Sequence, residues 1–257
     1  MSYLQLLQDQ NLGDYGFGSG CLCSGCRQTD PSTFVGEAST LGQPITPVFR
    51  FECPAGCPPF TAGQCRNVLR HAIRASINIA SNAASKLEAA SKLSGRTSPR
   101  DDETVRLFRF FFGHDPSRPV PWAGNRESGL IVAQRFRKAA EALQSWGILY
   151  RCGCPGAGAE VRARTNAAIA PNVINLCPRF WNPPPGLRLA NRYFRAGVIL
   201  HETLHLLYHE FFHHPGHPSG DPVRRRDEPH CYEAFALRVA GHAADPTDVT
   251  QCRARQA

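Results

Sequence analysis

The segment at residues 196–214, AGVILHETLHLLYHEFFHH, constrains the fold of this chain more than any other. Its apolar residues recur with the spacing of a buried α-helix, which we predict to begin near Tyr193. His201 and His205 are four residues apart, so one turn of this helix brings both imidazoles to the same face. Glu202 is rotated by about 100° around the helix axis from His201. Its carboxylate therefore points in a different direction and need not bind the same ion as the two imidazoles.

This H-E-x-x-H pattern is typical of enzymes that hold zinc with two histidines and use the glutamate as a general base. A zinc ion held by His201 and His205 would activate a water molecule for attack on a peptide bond. Glu202 would take a proton from that water and pass it to the leaving amine. We therefore predict a zinc-dependent metalloendopeptidase, with Zn2+ as cofactor and a protein or peptide as substrate.

The third zinc ligand has to come from another part of the chain. His209 lies about 12 Å along the helix axis from His201, too far for both imidazoles to bind one ion at ~2.0–2.1 Å. The segment RRRDEPHCYEAFALRVAG at 224–241 carries the remaining candidates. They are Asp227, Glu228, His230 and Glu233.

Hydrophobic periodicity predicts a mostly helical α+β fold. The H-E-x-x-H helix leads us to expect that this fold is of zincin-like type. The expected elements are helices at 64–93, at 128–146 and from near Glu228, with short strands at Ile148–Cys152 and Val173–Leu176. The prolines of 181–186 exclude regular structure there. We expect the peptidase domain at 61–245, an irregular extension rich in cysteine, glycine and proline at 1–60, and a C-terminal tail at 246–257.

The chain has 11 cysteines, a high number for a cytosolic protein. We expect disulfides, although the cluster Cys21-x-Cys23-x-x-Cys26 could instead hold a structural metal. The N-terminal residues lack the basic and apolar regions of a secretory signal. Cysteine content therefore favours export by a leaderless route over the cytoplasm, as would suit an exported effector.

The net charge of +8 comes mainly from arginine, because only three of the 29 basic residues are lysines. The arginines are scattered and no nucleic-acid-binding module is visible, so we expect no nucleic-acid partner. No stretch approaches the ~20 apolar residues that cross a bilayer, so we expect no membrane partner. We expect the protein to act as a monomer.

Four stretches of the chain resemble one family of zinc peptidases. They are LFRFFFGHDP at 107–116, YRCGC at 150–154, VINLCPRFW at 173–181 and AGVILHETLH at 196–205. The last two, separated by a proline-rich loop, are similar to the approach to the zinc helix in the aspzincins, the deuterolysin-like and peptidyl-lysine metalloendopeptidase family. The resemblance covers roughly residues 50–240 and implies a zincin-like fold, a bound zinc ion and endopeptidase activity.

The aspzincin segment G-T-x-x-D-x-x-Y-G, in which the aspartate binds zinc and the tyrosine helps the transition state, matches D-E-P-H-C-Y-E at 227–233 only in part. Tyr232 takes the place of the tyrosine, which implies a hydroxyl that donates to the oxyanion. Pro229 stands at the aspartate position. His230 is the expected third ligand because neutral imidazole binds zinc well, and Asp227 is the alternative after a shift of two residues.

Two other functions fit the same residues. The altered third-ligand segment would suit a regulatory or interaction protein that binds zinc without turnover. HETLHLLYH followed by a YEAFA helix also resembles the glutamate-ligated zincin peptidases that regulate phage-type repressors. In that case Glu228 or Glu233 would be the third ligand.

Overall fold

The structure is a computed structural model that describes residues 46–53, 57, 59–92, 102–154, 156, 161–166, 170–183, 191–208 and 228–252. All of them belong to one unit of the chain, Ile45–Ala257. The fold is α+β and mostly helical, as predicted from the sequence. None of the helices in these ranges is both long enough and apolar enough to cross a lipid bilayer.

Seven α-helices lie in the described ranges. They are α1 (Ala62–Lys92), α2 (Glu103–Phe112), α3 (Ser128–Ser145), α4 (Pro178–Trp181), α5 (Asn191–Leu207), α6 (Pro229–Val239) and α7 (Pro246–Cys252). A 3₁₀ turn covers Pro121–Ala123. The long helices α1 and α3 agree with the predicted periodic segments, and α5 carries the H-E-x-x-H pattern.

The strands form a small mixed sheet and a separate ribbon. They are β1 (Phe49–Glu52), β2 (Pro119–Val120), β3 (Arg126–Glu127), β4 (Ile148–Cys152), β5 (Ala163–Thr165) and β6 (Val173–Leu176). The sheet order is β1-β4-β6-β5, with β5 antiparallel to β6 and the other pairs parallel. The ribbon pairs β2 with β3. The sequence correctly predicted β4 and β6.

Helix α1 forms the centre of the core. It begins with a reciprocal cap, in which the Thr61 amide donates to Oε1 of Gln64 at 2.9 Å and the Gln64 amide donates to Thr61 Oγ1 at 3.5 Å. Its small buried side chains allow α3 and α5 to pack closely against it. These side chains are Ala72, Ala75, Ala80, Ala83 and Ala84.

Regular secondary structure extends beyond the predicted limits of the peptidase domain, 61–245, at both ends. Residues 49–52, expected within an irregular extension, form β1 because they pair in register with β4. Residues 246–252, expected within a tail, form α7, which packs against α6. Trp181, expected to be irregular, ends the short helix α4. Residues 49–52 and 246–252 are held by contacts with elements distant in the chain, which local apolar spacing does not show.

Eight of the cysteines lie in the described ranges, and all eight form disulfides. The pairs are Cys53–Cys152, Cys57–Cys65, Cys154–Cys177 and Cys231–Cys252. The expected disulfides are confirmed for these residues, whereas the cluster at 21–26 lies outside the described residues. Each cross-link stabilises the fold by about 2–4 kcal/mol, mainly by restricting the unfolded chain.

Candidate metal centre

Helix α5 presents the two histidines of the H-E-x-x-H pattern from within the core. Apolar side chains on the same helix, including Ile199, Leu200 and Leu204, are fully buried. His201 and Glu202 are 5% and 6% exposed. The ring of His205 lies one turn further on, with its centroid 5.1 Å from that of His201. The helical spacing therefore brings the two imidazoles together, as the sequence predicted.

Helix α6 brings a third imidazole to the same place. His230 is the second residue of this helix, directly after Pro229, whose fixed φ suits the first turn. Its ring centroid lies 4.4 Å from that of His201. Ligand atoms of His201, His230 and Glu233 all lie within 4.8 Å of one another. His205 is not one of these three, but it contacts the group through His201.

A buried carboxylate stands behind each of two imidazoles. Nδ1 of His201 lies 3.2 Å from Oε2 of Glu233, and Nδ1 of His230 lies 2.9 Å from Oδ1 of Asp248. These are close contacts by distance, although neither is a well-aligned hydrogen bond. A carboxylate in this position favours the tautomer that carries its proton on Nδ1, which leaves the Nε2 lone pair of each ring for a metal ion.

Arg162 ties the carboxylates together. Its guanidinium lies 2.8 Å from Asp245, 2.8 Å from Asp248 and 3.6 Å from Glu233. Burial and the charge of Asp248 raise the pKa of Glu233 well above its usual value, and Arg162 opposes this rise. Burial would also raise the pKa of Asp248, but contact with His230 and the charge of Arg162 outweigh it and lower that pKa. Three carboxylates thus share one guanidinium, which leaves the cluster attractive to a cation.

Gly197 makes room for Glu233. It lies four residues before His201 on α5, and a Cβ at this position would be 2.6 Å from Oε1 of Glu233. The backbone of α5 and the carboxylate of Glu233 therefore approach each other more closely than any other residue type would allow. This approach lets Glu233 reach His201 from α6.

Tyr232 is completely buried in an aromatic cluster. Its ring makes edge contacts with Phe112 and Phe136, at centroid distances of 5.3 and 5.2 Å. Its hydroxyl accepts a hydrogen bond of 2.9 Å from the guanidinium of Arg135. The structure thus gives this hydroxyl a protein partner, and its predicted role as a donor to the oxyanion stays a prediction.

The other residues predicted as possible zinc ligands differ in their position relative to the candidate centre. Glu228 is 9% exposed and precedes α6 as its N-cap residue, outside the tight group of ligand atoms. Glu233 belongs to that group but also contacts Arg162. Asp227, the alternative third ligand, lies outside the described residues.

Sequence analysis missed four residues of this site. Arg162, Asp245 and Asp248 lie far from the motif and follow no pattern that spacing could identify. Gly197 did give a signal, because a glycine inside an apolar helix often marks close packing.

Comparison with known proteins adds no relative from which a role could be transferred. No protein-family model matches the chain, and no curated protein matches it.

Proposed function

We propose that this protein is a zinc-dependent metalloendopeptidase in which His201, His205 and His230 hold the metal ion. One observation carries the proposal. Imidazoles from two different helices lie with their ring centroids 4.4 Å apart, and each has a buried carboxylate at Nδ1. Histidines that bind zinc in proteins commonly have a carboxylate beside the ring nitrogen that does not bind the metal.

The residues fit zinc in both chemistry and charge. Neutral imidazole nitrogens are preferred zinc ligands, and three of them leave a fourth position for a substrate or a water molecule. Asp245 and Asp248 share the single positive charge of Arg162, and this excess of acidic groups further favours binding of a divalent cation.

The residues around this position suit peptide hydrolysis. When bound, zinc supplies a Lewis acid that activates water and polarises the carbonyl group of the scissile bond. Glu202 follows His201 on the same helix and is 6% exposed, which shields its carboxylate from bulk water. In the proposed reaction, a carboxylate oxygen of Glu202 accepts the proton of the attacking water and returns it to the leaving amine.

Glu233 as third ligand is the second candidate arrangement, because its carboxylate belongs to the tight group of ligand atoms. It would make the protein a glutamate-ligated zincin. The contact of Glu233 with Nδ1 of His201 favours the orienting role instead, since a carboxylate beside one ring nitrogen leaves the other nitrogen to bind the metal.

Glu202→Gln tests the proposed function. We expect the variant to keep stoichiometric zinc and to cleave a broad peptide library about 10²–10⁴-fold more slowly, because only the general base is lost. Zinc content by elemental analysis and cleavage by mass spectrometry measure the two effects. Glu88→Gln is the control, because it removes a partly buried carboxylate paired with Arg137 on the outside of the helical core and should change neither.

Each contrary result has a defined meaning. Cleavage by Glu202→Gln at the parent rate would remove Glu202 from the mechanism. Stoichiometric zinc without any chelator-sensitive cleavage by the parent would favour the regulatory zinc protein. Absence of zinc from the pure parent protein would end the proposal.

A further inference from the structure

Helix α7 and the residue directly before it contribute two buried acidic side chains next to His230 and Arg162. Asp248 is 1% exposed and touches both His230 and Arg162. Asp245, directly before the helix, touches Arg162 and accepts a hydrogen bond of 2.9 Å from the Thr247 amide. Asp245 and Asp248 therefore both face the candidate metal centre and not the solvent.

We propose that α7 is a positioning element of the metal centre, in which Asp248 fixes the ring of His230 and the Cys231–Cys252 disulfide holds the helix in place. This inference rests on the proposed function, because it concerns how tightly the same histidines retain zinc.

Cys252, which forms the disulfide, and Asp248, which contacts His230, lie on the same side of α7. Asp248 and Cys252 are four residues apart, so one helical turn separates them on a shared face. On α6, Cys231 directly follows His230, and the disulfide joins Cys231 to Cys252. The cross-link therefore fixes α7 at the point where Asp248 meets His230.

Arg162 extends the effect of α7 to the second histidine. It contacts Asp248 on one side and Glu233 on the other, and Glu233 stands behind His201. A displaced α7 would withdraw the direct support of His230 and shift the guanidinium that helps to place Glu233. Loss of such an orienting carboxylate commonly weakens metal binding by about 10–100-fold.

Asp248→Asn in the full chain tests this role. We expect its dissociation constant for Zn2+, measured by competition with a chromophoric chelator, to rise about 10–100-fold. The absorption spectrum of the Co2+ form should also change, because a rotated His230 alters the ligand field. Asp115→Asn is the matched control: Asp115 accepts hydrogen bonds from Arg109 and Ser117 away from the centre, and its loss should leave zinc binding unchanged.

The double variant Cys231→Ser, Cys252→Ser tests the role of the disulfide in holding α7 in place. We expect it to weaken zinc binding in the same direction as Asp248→Asn. Combining all three substitutions should weaken binding by less than the product of the separate effects, since both act through the placement of α7. Circular dichroism and a working temperature below the unfolding transition ensure that folded protein is titrated.

The outcomes separate this inference from the proposed function. Parent protein that binds zinc, together with an Asp248→Asn variant of equal affinity and identical Co2+ spectrum, would overturn the role of α7 and leave the metal centre intact. Strictly multiplicative effects in the combined variant would overturn the role of the disulfide. Parent protein that binds no zinc would overturn both proposals.

Discussion

Gly197 shows how a single residue shapes the candidate centre. Inside a helix, glycine is less favourable than alanine by about 1 kcal/mol. At this position a Cβ would lie only 2.6 Å from Oε1 of Glu233, which is closer than nonbonded atoms approach. The absence of a side chain therefore allows Glu233 to stand behind His201, and helix α5 accepts a weaker helix former in return.

We expect Gly197→Ala to weaken zinc binding by roughly 10–100-fold, because the added methyl group must displace the carboxylate that contacts His201. The free energy of unfolding of the metal-free protein should change less, since the gain in helix propensity opposes the local strain. Chelator competition and thermal unfolding without metal measure the two effects separately.

Gly63→Ala is the matched control, since a Cβ at Gly63 in α1 meets no atom within 4 Å. It makes the same chemical change in a helix without touching the centre, and zinc affinity should not change. Equal zinc affinity of Gly197→Ala and the parent would show that Glu233 does not orient His201.

At the residue scale, the sequence predicted the candidate residues that helical spacing or ligand chemistry identifies. His201, Glu202 and His205 lie within one helical turn and a half, so spacing alone brings them together. His230 was favoured over Asp227, Glu228 and Glu233 by its ligand chemistry, and the structure places it beside His201. Arg162 and Asp248 could not be found, because their approach to the histidines depends on the packing of elements distant in sequence.

At the scale of elements, helix α6 has two faces with different surroundings. His230 and Glu233 are three residues apart and share the face toward the imidazoles. Tyr232 and Phe235, also three apart, share a face that packs against Phe112 and Phe136. About 200° of helical rotation separates Tyr232 from His230, so the same helix supports both the candidate centre and the aromatic core.

This placement leads to a prediction for Tyr232→Phe. We expect kcat for peptide cleavage to fall by less than about tenfold, because the hydroxyl is completely buried and bound to Arg135. The free energy of unfolding should fall by about 1 kcal/mol through the lost hydrogen bond. Peptidase kinetics and chemical denaturation measure the two quantities.

The control for this prediction is Tyr150→Phe, which removes another buried tyrosine hydroxyl in strand β4 and should leave kcat unchanged. A fall in kcat of a hundredfold or more for Tyr232→Phe, with unchanged stability, would instead support the role in the transition state that the resemblance implies for Tyr232.

Element length explains which parts of the fold could be predicted. The 31 residues of α1 and the 18 residues of α3 show several helical periods, so apolar spacing identified both. Strand β1 has four residues, as β6 has, but it alternates phenylalanine with charged side chains and lacks the apolar run that identified β6. Helix α7 has seven residues, too few for a helical period to be recognised. Pairing with β4 fixes the first, and packing on α6 with the disulfide to Cys231 fixes the second.

At the scale of the whole molecule, the candidate centre joins parts that are far apart in the chain. Helices α5, α6 and α7 and the segment before β5 each contribute a charged or metal-binding group. The groups bring several acidic side chains together inside the folded protein. Burial and the charges of Asp248, Asp245 and Glu202 raise the pKa of Glu233, whereas Arg162 lowers it. Such a cluster opposes folding unless a cation offsets it, and the unfolded chain has no comparable site.

Zinc should therefore stabilise the entire fold. At a free zinc concentration 100-fold above the dissociation constant, binding to the native state alone adds about 2.7 kcal/mol to the free energy of unfolding. For a chain of this size, that corresponds to a rise in the unfolding temperature of roughly 5–10 °C, which differential scanning calorimetry with zinc and with a chelator would measure.

Mg2+ at the same concentration is the control, because it prefers oxygen ligands and should produce little shift in the unfolding temperature. His230→Ala should abolish most of the zinc effect, since it removes the ligand that joins α6 to α5. An equal unfolding temperature with zinc and with chelator would mean that these histidines do not hold zinc in the folded protein, and that the charge around Arg162 is balanced within the protein itself.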